Sequence, residues 1–206
     1  MTDTTNLVET NEAQDVAGSI RHALQCWKLT QNDPHVWKWV ILALHGALQG
    51  ACVCHLVTTA SPVGAVTERN AGEWLHYFEN SRTNASLMPP KTYLMDLPEL
   101  LKAVRKPNSA RQNLGIGHHV RLSDKELNWL IRIHREFRNQ FIHFSPTGWV
   151  FDVSGMQELA HLIARVIQDI LDCGWAFRHL GEERRELLKE DLSALAALEM
   201  PMVSQR

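Results

Sequence analysis

From Trp39 to Val66 the chain reads "WVILALHGALQGACVCHLVTTASPVGAV", without one Asp, Glu, Lys or Arg. A stretch this long and apolar has two uses. It crosses a bilayer, or it forms a helix enclosed on every side by other helices. His45, Gln49 and His55 interrupt the run, and no second stretch of the kind follows it. The expectation is therefore a buried central helix and no membrane. Ala43, Ala47 and Ala51, beside Gly46 and Gly50, are small enough to let another backbone come close to it.

The rest of the chain supplies the enclosing helices. Val16, Ile20, Ala23, Leu24 and Trp27 recur at helical spacing and predict a first amphipathic helix ending near Thr30. Asp33-Pro34 is a start signal for the central helix, Asp33 capping it and Pro34 in its first turn. Ser61-Pro62-Val63-Gly64 breaks that helix, and Glu68 to Asn80 reads as a third, with Trp74, Leu75 and Phe78 facing inward. A short helix follows, capped by Asp96 with Pro98 early in it.

Ser123 and Glu126 fit the S-x-x-E capping box, which predicts a helix from Asp124 to about His143 or Phe144, before Pro146 and Gly148. A second box, Ser154 with Gln157, opens a long helix burying Leu159, Ile163, Val166, Ile170 and Leu171, ended or kinked by Gly181. Glu182 to Glu199 forms a last, charged helix with Leu188, Leu192 and Leu195 on one side. No run alternates as strands do, although "WVFDV" suits a short extended piece, and there is no internal repeat. The expected fold is all-α, an antiparallel bundle of about five helices. It forms one domain over residues 12–200, between a disordered N-terminus, 1–11, and a tail, 201–206.

The formal net charge of -2 argues against a protein that coats nucleic acid through a general basic field, so any RNA contact must come from a local patch. Cys26, Cys52, Cys54 and Cys173 are scattered, and the N-terminal stretch lacks the basic and apolar regions of a signal peptide. Both features point to a reducing cytoplasm. Cys52-x-Cys54-His55 resembles part of a metal site, but neighbouring ligands on a helix splay apart and no second Cys pair completes four. Neither a metal nor another cofactor is expected.

On a helical wheel of about 100° per residue, Leu127, Leu130, Phe137, Phe141 and Phe144 share the core side of the helix from Asp124. Asn128, Arg132, Arg135, Asn139 and His143 form a polar stripe opposite, and Arg138 sits on the flank between the two. A solvated face accounts for such a stripe by itself. Here Ile131, Ile142 and Trp149 border it with apolar surface, which suits a partner better than water.

Arg138-Asn139-Gln140-Phe141-Ile142-His143, in the context "FRNQFIHF" followed by a Pro-Gly turn and Trp149, resembles the R-x4-H motif of the HEPN superfamily. The position of the motif near the end of a late long helix in an all-α chain is similar as well. Many members are metal-independent endoribonucleases that act as homodimers, the motifs of two subunits meeting in one cleft. The resemblance thus implies catalytic roles for Arg138, Asn139 and His143, an RNA substrate, a homodimer, and service as a toxin or defence enzyme. An antitoxin or regulatory protein is a further partner it implies.

The residue chemistry agrees with those roles. Imidazole titrates near neutrality and can take the proton of a ribose 2′-hydroxyl. A guanidinium can hold a phosphate whose charge grows in the transition state. In some members a nucleotidyltransferase antitoxin modifies a Tyr two residues after the His; Ser145 stands there in this chain. The alternative reading is a non-catalytic module of the same fold that binds a nucleotide or protein, or only dimerises.

His118 and His119 in the loop before the helix, Arg135 on the stripe, and His45 on the central helix are candidates for substrate contact. Each has a plainer explanation. The loop histidines can be ordinary exposed residues. His45 and Gln49, one turn apart and buried, need hydrogen-bond partners: each other or the backbone by default, with a place beside Arg138 at the dimer interface as the functional alternative. Arg184, Arg185 and Lys189 interleave with glutamates and read as a solvated face.

Overall fold

The structure is a computed structural model that describes residues 7–57, 62–107, 109, 119–143 and 148–201. Among these the chain is helical and has no strand; the one β-type pairing is an isolated antiparallel bridge between Val66 and Leu94. The helices are α1 (Glu12–Leu29), α2 (Trp37–Leu56), α3 (Glu68–Asn80), α4 (Leu97–Val104), α5 (Asp124–Arg132), α6 (Asn139–His143), α7 (Met156–Asp172) and α8 (Glu182–Ala196). A π-helical turn, Ile133–Arg138, joins α5 to α6, so the long helix expected from Asp124 is continuous but underwound in its middle.

The centre is α2, packed on α1, α4, α7 and the π turn. Asp33 caps a 3-10 turn, Pro34–Val36, by accepting from the His35 N–H, and the chain runs from there into α2. By length and composition Pro34–Leu56 could span a bilayer, its most apolar 18 residues having a mean hydropathy of 1.5, but 67% of that window is buried inside the protein. Burial in protein satisfies the same apolar surface that lipid would.

α1 and α2 form a tight antiparallel hairpin. Near the turn, Trp27 and Trp37 meet edge to face with ring centroids 4.9 Å apart. Farther from it, Gly46 lies beside Ser19 and Gly50 beside Val16, closely enough that a Cβ on Gly50 would sit 2.8 Å from a Val16 methyl. The small-residue stripe of α2 therefore faces α1. α7 buries Leu159, Ile163, Val166, Ile170 and Leu171, as its periodicity predicts, and α8 adds Leu188, Leu192 and Leu195 to the same core.

Three local expectations are corrected. α3 has its predicted bounds, but Leu75 is exposed and Trp74 and Phe78 are only half-buried. Its anchor is polar instead: the buried Asn70 donates to the Lys91 carbonyl and accepts from the Tyr93 N–H, both at 2.8 Å. The second capping box does not form. Asp152 captures the backbone and hydroxyl of Ser154, each at 2.8 Å, and α7 begins after Gly155. A carboxylate two residues upstream competes for the same donors that a cap would use.

α7 ends at Asp172, before Gly174, whose φ of 77° stops the helix well ahead of Gly181. Phe137 and Phe141 face the core side as expected but are only half-buried at its edge. They pack with Trp149 and Phe151 in an aromatic cluster at the edge of the core. Phe144, Ser145 and Pro146 lie outside the described residues, as do residues 1–6 and 202–206 of the two expected tails.

Candidate functional site

The capping box at Ser123 starts the helix that carries the site. The Ser123 N–H and hydroxyl both donate to Glu126 Oε2, and the Glu126 N–H donates back to Ser123 Oγ. These bonds hold the Glu126 carboxyl below its usual range, ahead of the nearby Arg165, which donates to the other carboxylate oxygen at 2.7 Å. Arg121, just before the helix, chelates the buried Asp169 of α7 through Nη2 at 2.9 Å and its own backbone N–H at 3.0 Å. The start of α5 is thus pinned to α7, and the far end is free to present side chains.

At that far end Arg138 and Asn139 are half-buried and His143 is exposed. Arg138 Nη1 donates to the Asn139 side-chain oxygen at 2.9 Å. No carboxylate among the described residues pairs with Arg138 or with the exposed Arg135, whereas Arg132 is occupied by Glu136 at 2.7 Å. Two uncompensated cations therefore lie within one turn of helix. Beside them Ile142 is 43% exposed, Trp149 39% and Val150 98%, an apolar margin next to the polar groups. Between the π turn and the 149–156 segment runs a groove of about 730 Å³ lined by Trp129, Phe137, Trp149, Phe151, Arg132 and Arg135 among others.

His45 is not bonded to Gln49. It is 5% exposed on α2, and its Nε2 lies 2.9 Å from Nδ1 of His134 in the π turn, with the rings stacked at 5.1 Å. Burial first, then the charges of His134 and Arg138, hold the His45 imidazole down at about 3. Burial also lowers His134, with Asp96 acting against it and Arg138 and Arg135 with it. Arg138 thus lies within electrostatic reach of both rings. The structure brings His45, His134, Arg138 and Asn139 together, with His143 one turn beyond Asn139.

His134 is the residue that the sequence reading passed over. The signal was present: on the same wheel His134 falls on the core side near Leu127, so it needed a buried polar partner just as His45 did. His119 is exposed ahead of α5 and makes no hydrogen bond to Arg138 or His143, and His118 lies outside the described residues. His55, next to Cys54, is turned toward Ser109 Oγ at 2.7 Å, and Cys52 is fully buried. Among the described residues no group of three or more His, Cys, Asp or Glu is placed to hold a metal ion.

Set against family models, characterised protein sequences and solved structures, the chain matches none of them. The function is accordingly argued from the site alone.

Proposed function

We propose that this protein is a HEPN-like, metal-independent endoribonuclease that works as a homodimer. The observation carrying the reading is Arg138: a guanidinium with no carboxylate partner among the described residues, propped by Asn139, one turn from the exposed His143 and bordered by exposed apolar side chains. A half-buried unpaired cation favours an anion, and a phosphodiester fits its planar donors.

In the proposed reaction an imidazole removes the 2′-hydroxyl proton and the 2′-oxygen attacks phosphorus. The bond to the 5′-oxygen breaks, and a second acid returns a proton to that oxygen. The products are a 2′,3′-cyclic phosphate and a 5′-hydroxyl, and Arg138 balances the charge that builds on the phosphate. One motif brings one imidazole, His143, so two subunits supply the two proton-transfer groups. Ile142, Trp149 and Val150 are the apolar surface for that association. The four cysteines, all free and buried, fit the cytoplasm of a cell in which such an enzyme serves as a toxin or in defence.

The exposed apolar margin would equally serve a HEPN-like module that binds a protein and cuts nothing. One experiment separates the two. A purified homodimer, by light scattering, should cleave RNA in excess EDTA and leave cyclic phosphate ends, and His143→Ala should abolish this. A dimer that leaves RNA intact with or without magnesium selects the binding module, and a monomer at tens of micromolar removes the shared site.

A further inference from the structure

We infer that His134, held in one orientation by His45, is a second acid–base group of the site and takes the 2′-hydroxyl proton at its Nε2. The inference rests on the ribonuclease reading and adds a residue that the R-x4-H motif does not include.

The geometry is that of a base with an orienting partner. His134 Nδ1 is committed to His45 Nε2 at 2.9 Å, and the rings stack with a 24° interplanar angle. His134 Nε2 has no protein partner among the described residues, and the ring is half-buried, so one nitrogen is fixed and the other is presented. With His134 Nδ1–H donating to His45, the free electron pair falls on Nε2, where a base needs it. His45 can play this part because it is enclosed on α2 and stays neutral, and a neutral Nε2 can accept.

The charged surroundings agree with the role. His134 faces His45 from α2, Arg135 and Arg138 from its own turn, and Asp96 from the N-terminus of α4. Burial and the two arginines outweigh Asp96 and keep His134 below the usual histidine range, hence in its basic form at neutral pH. Arg138 lies four residues on, one turn away, where it can hold the phosphate whose neighbouring hydroxyl His134 deprotonates.

His134 and His143 are nine residues apart on one helix, roughly 13 Å at 1.5 Å per residue, too far to serve one phosphate from the same subunit. The proton for the leaving 5′-oxygen therefore comes from His143 of a second copy. The π turn gives this arrangement its form. It sets a core-side imidazole against His45 in the middle of α2 with a flank guanidinium in electrostatic reach, and such turns recur at functional sites.

Two measurements test the inference. The first is nitrogen NMR of histidine-labelled wild type: the His134 spectrum should show the Nδ1–H tautomer, and its titration midpoint should match the acidic limb of the cleavage rate. A dominant Nε2–H tautomer, or a midpoint far from that limb, overturns the inference whether or not any variant folds.

The second is cleavage of an RNA oligonucleotide in EDTA across pH. His134→Gln keeps a hydrogen bond to His45 but cannot exchange a proton near neutrality. It should lose about a hundredfold in kcat and its acidic limb, with an unchanged melting temperature. His45→Leu should lower kcat several-fold at unchanged KM while both His134 tautomers appear. If wild type cleaves, His143→Ala does not, and His134→Gln matches wild type, His134 is structural and the ribonuclease reading stands. If wild type cleaves no RNA at all, both fall together.

Discussion

Arg138 donates to the Asn139 side-chain oxygen at 2.9 Å, so the guanidinium is held by a neutral acceptor and keeps its whole charge. Arg132, six residues earlier, is neutralised by Glu136. The difference separates a cation available to a substrate from one spent on the helix surface.

Substitutions at this pair should therefore act on turnover and leave folding nearly unchanged. Arg138→Ala should reduce RNA cleavage by about a hundredfold or more, the scale of a lost electrostatic stabiliser. Asn139→Ala should cost less, about tenfold, because the charge remains and only its direction is lost. Asn139→Asp should be worse than Asn139→Ala, since a carboxylate there competes with the phosphate for Arg138. Initial rates and thermal melts on the three variants check the order, and an Asn139→Asp enzyme as fast as wild type would contradict it.

The parts of this fold that were legible in the sequence are those settled locally. Asp33-Pro34, Asp96-Leu97-Pro98 and Ser123-x-x-Glu126 place helix starts because the capping side chain and its donor lie within a few residues. The bounds of α3 follow equally from local signals. The inward face assigned to α3 was wrong, because Asn70 anchors that helix through the 91–93 backbone, a contact without periodicity.

The candidate site was half legible. Arg138, Asn139 and His143 stand in a recognisable spacing, but the contact of His45 with His134 spans 89 positions and depends on a π turn that no residue pattern announces. A wheel drawn at constant angle loses its phase in such a turn. Phe137 and Phe141 still reach the core after the turn, but only at its half-buried edge, beside Trp149 and Phe151.

The buried histidines make stability depend on pH in a stated direction. His45 is held at about 3 and His55 at about 4, each chiefly by burial, whereas both take a proton near 6.5 in the unfolded chain. Below that pH the unfolded state binds more protons, so stability is complete above it and is lost as pH falls. Each group contributes a slope of about 1.4 kcal/mol per pH unit until its folded value is reached. Urea midpoints should hold level from pH 7.5 to about 6.5 and fall from there to 4.5 for wild type, and less steeply for His45→Gln, in which His55 and the likewise lowered His134 remain. Equal slopes would mean that His45 is already protonated in the folded protein.

Asp169 is the ionic anchor of the site's helix and should be the costliest surface-proximal residue to remove. At 8% exposure it accepts from the Arg121 backbone and guanidinium and from Arg165 Nη1. Asp169→Ala leaves two cations crowded together and a backbone N–H unpaired. The loss should be about 2–4 kcal/mol, nearer the lower figure because both arginines remain partly wet. Asp169→Asn keeps acceptors for part of this set and should cost less. Denaturant titration gives both values, and a loss under about 0.5 kcal/mol for Asp169→Ala would place this cluster among ordinary surface pairs.

Gly46 and Gly50, one turn apart on α2, should respond to the same substitution with opposite signs. A Cβ on Gly46 meets Ser19 Oγ at 3.6 Å, an ordinary contact, so Gly46→Ala should be neutral or stabilise by up to about 1 kcal/mol through helix propensity. On Gly50 the added carbon would lie 2.8 Å from Val16 Cγ2, and Val16 is fully buried and β-branched, with little freedom to turn away. Gly50→Ala should therefore destabilise by about 1–3 kcal/mol despite the better propensity. Urea unfolding of the two variants tests the register of the α1–α2 hairpin directly: if Gly46→Ala proves the weaker protein, the two helices do not meet where Gly50 faces Val16.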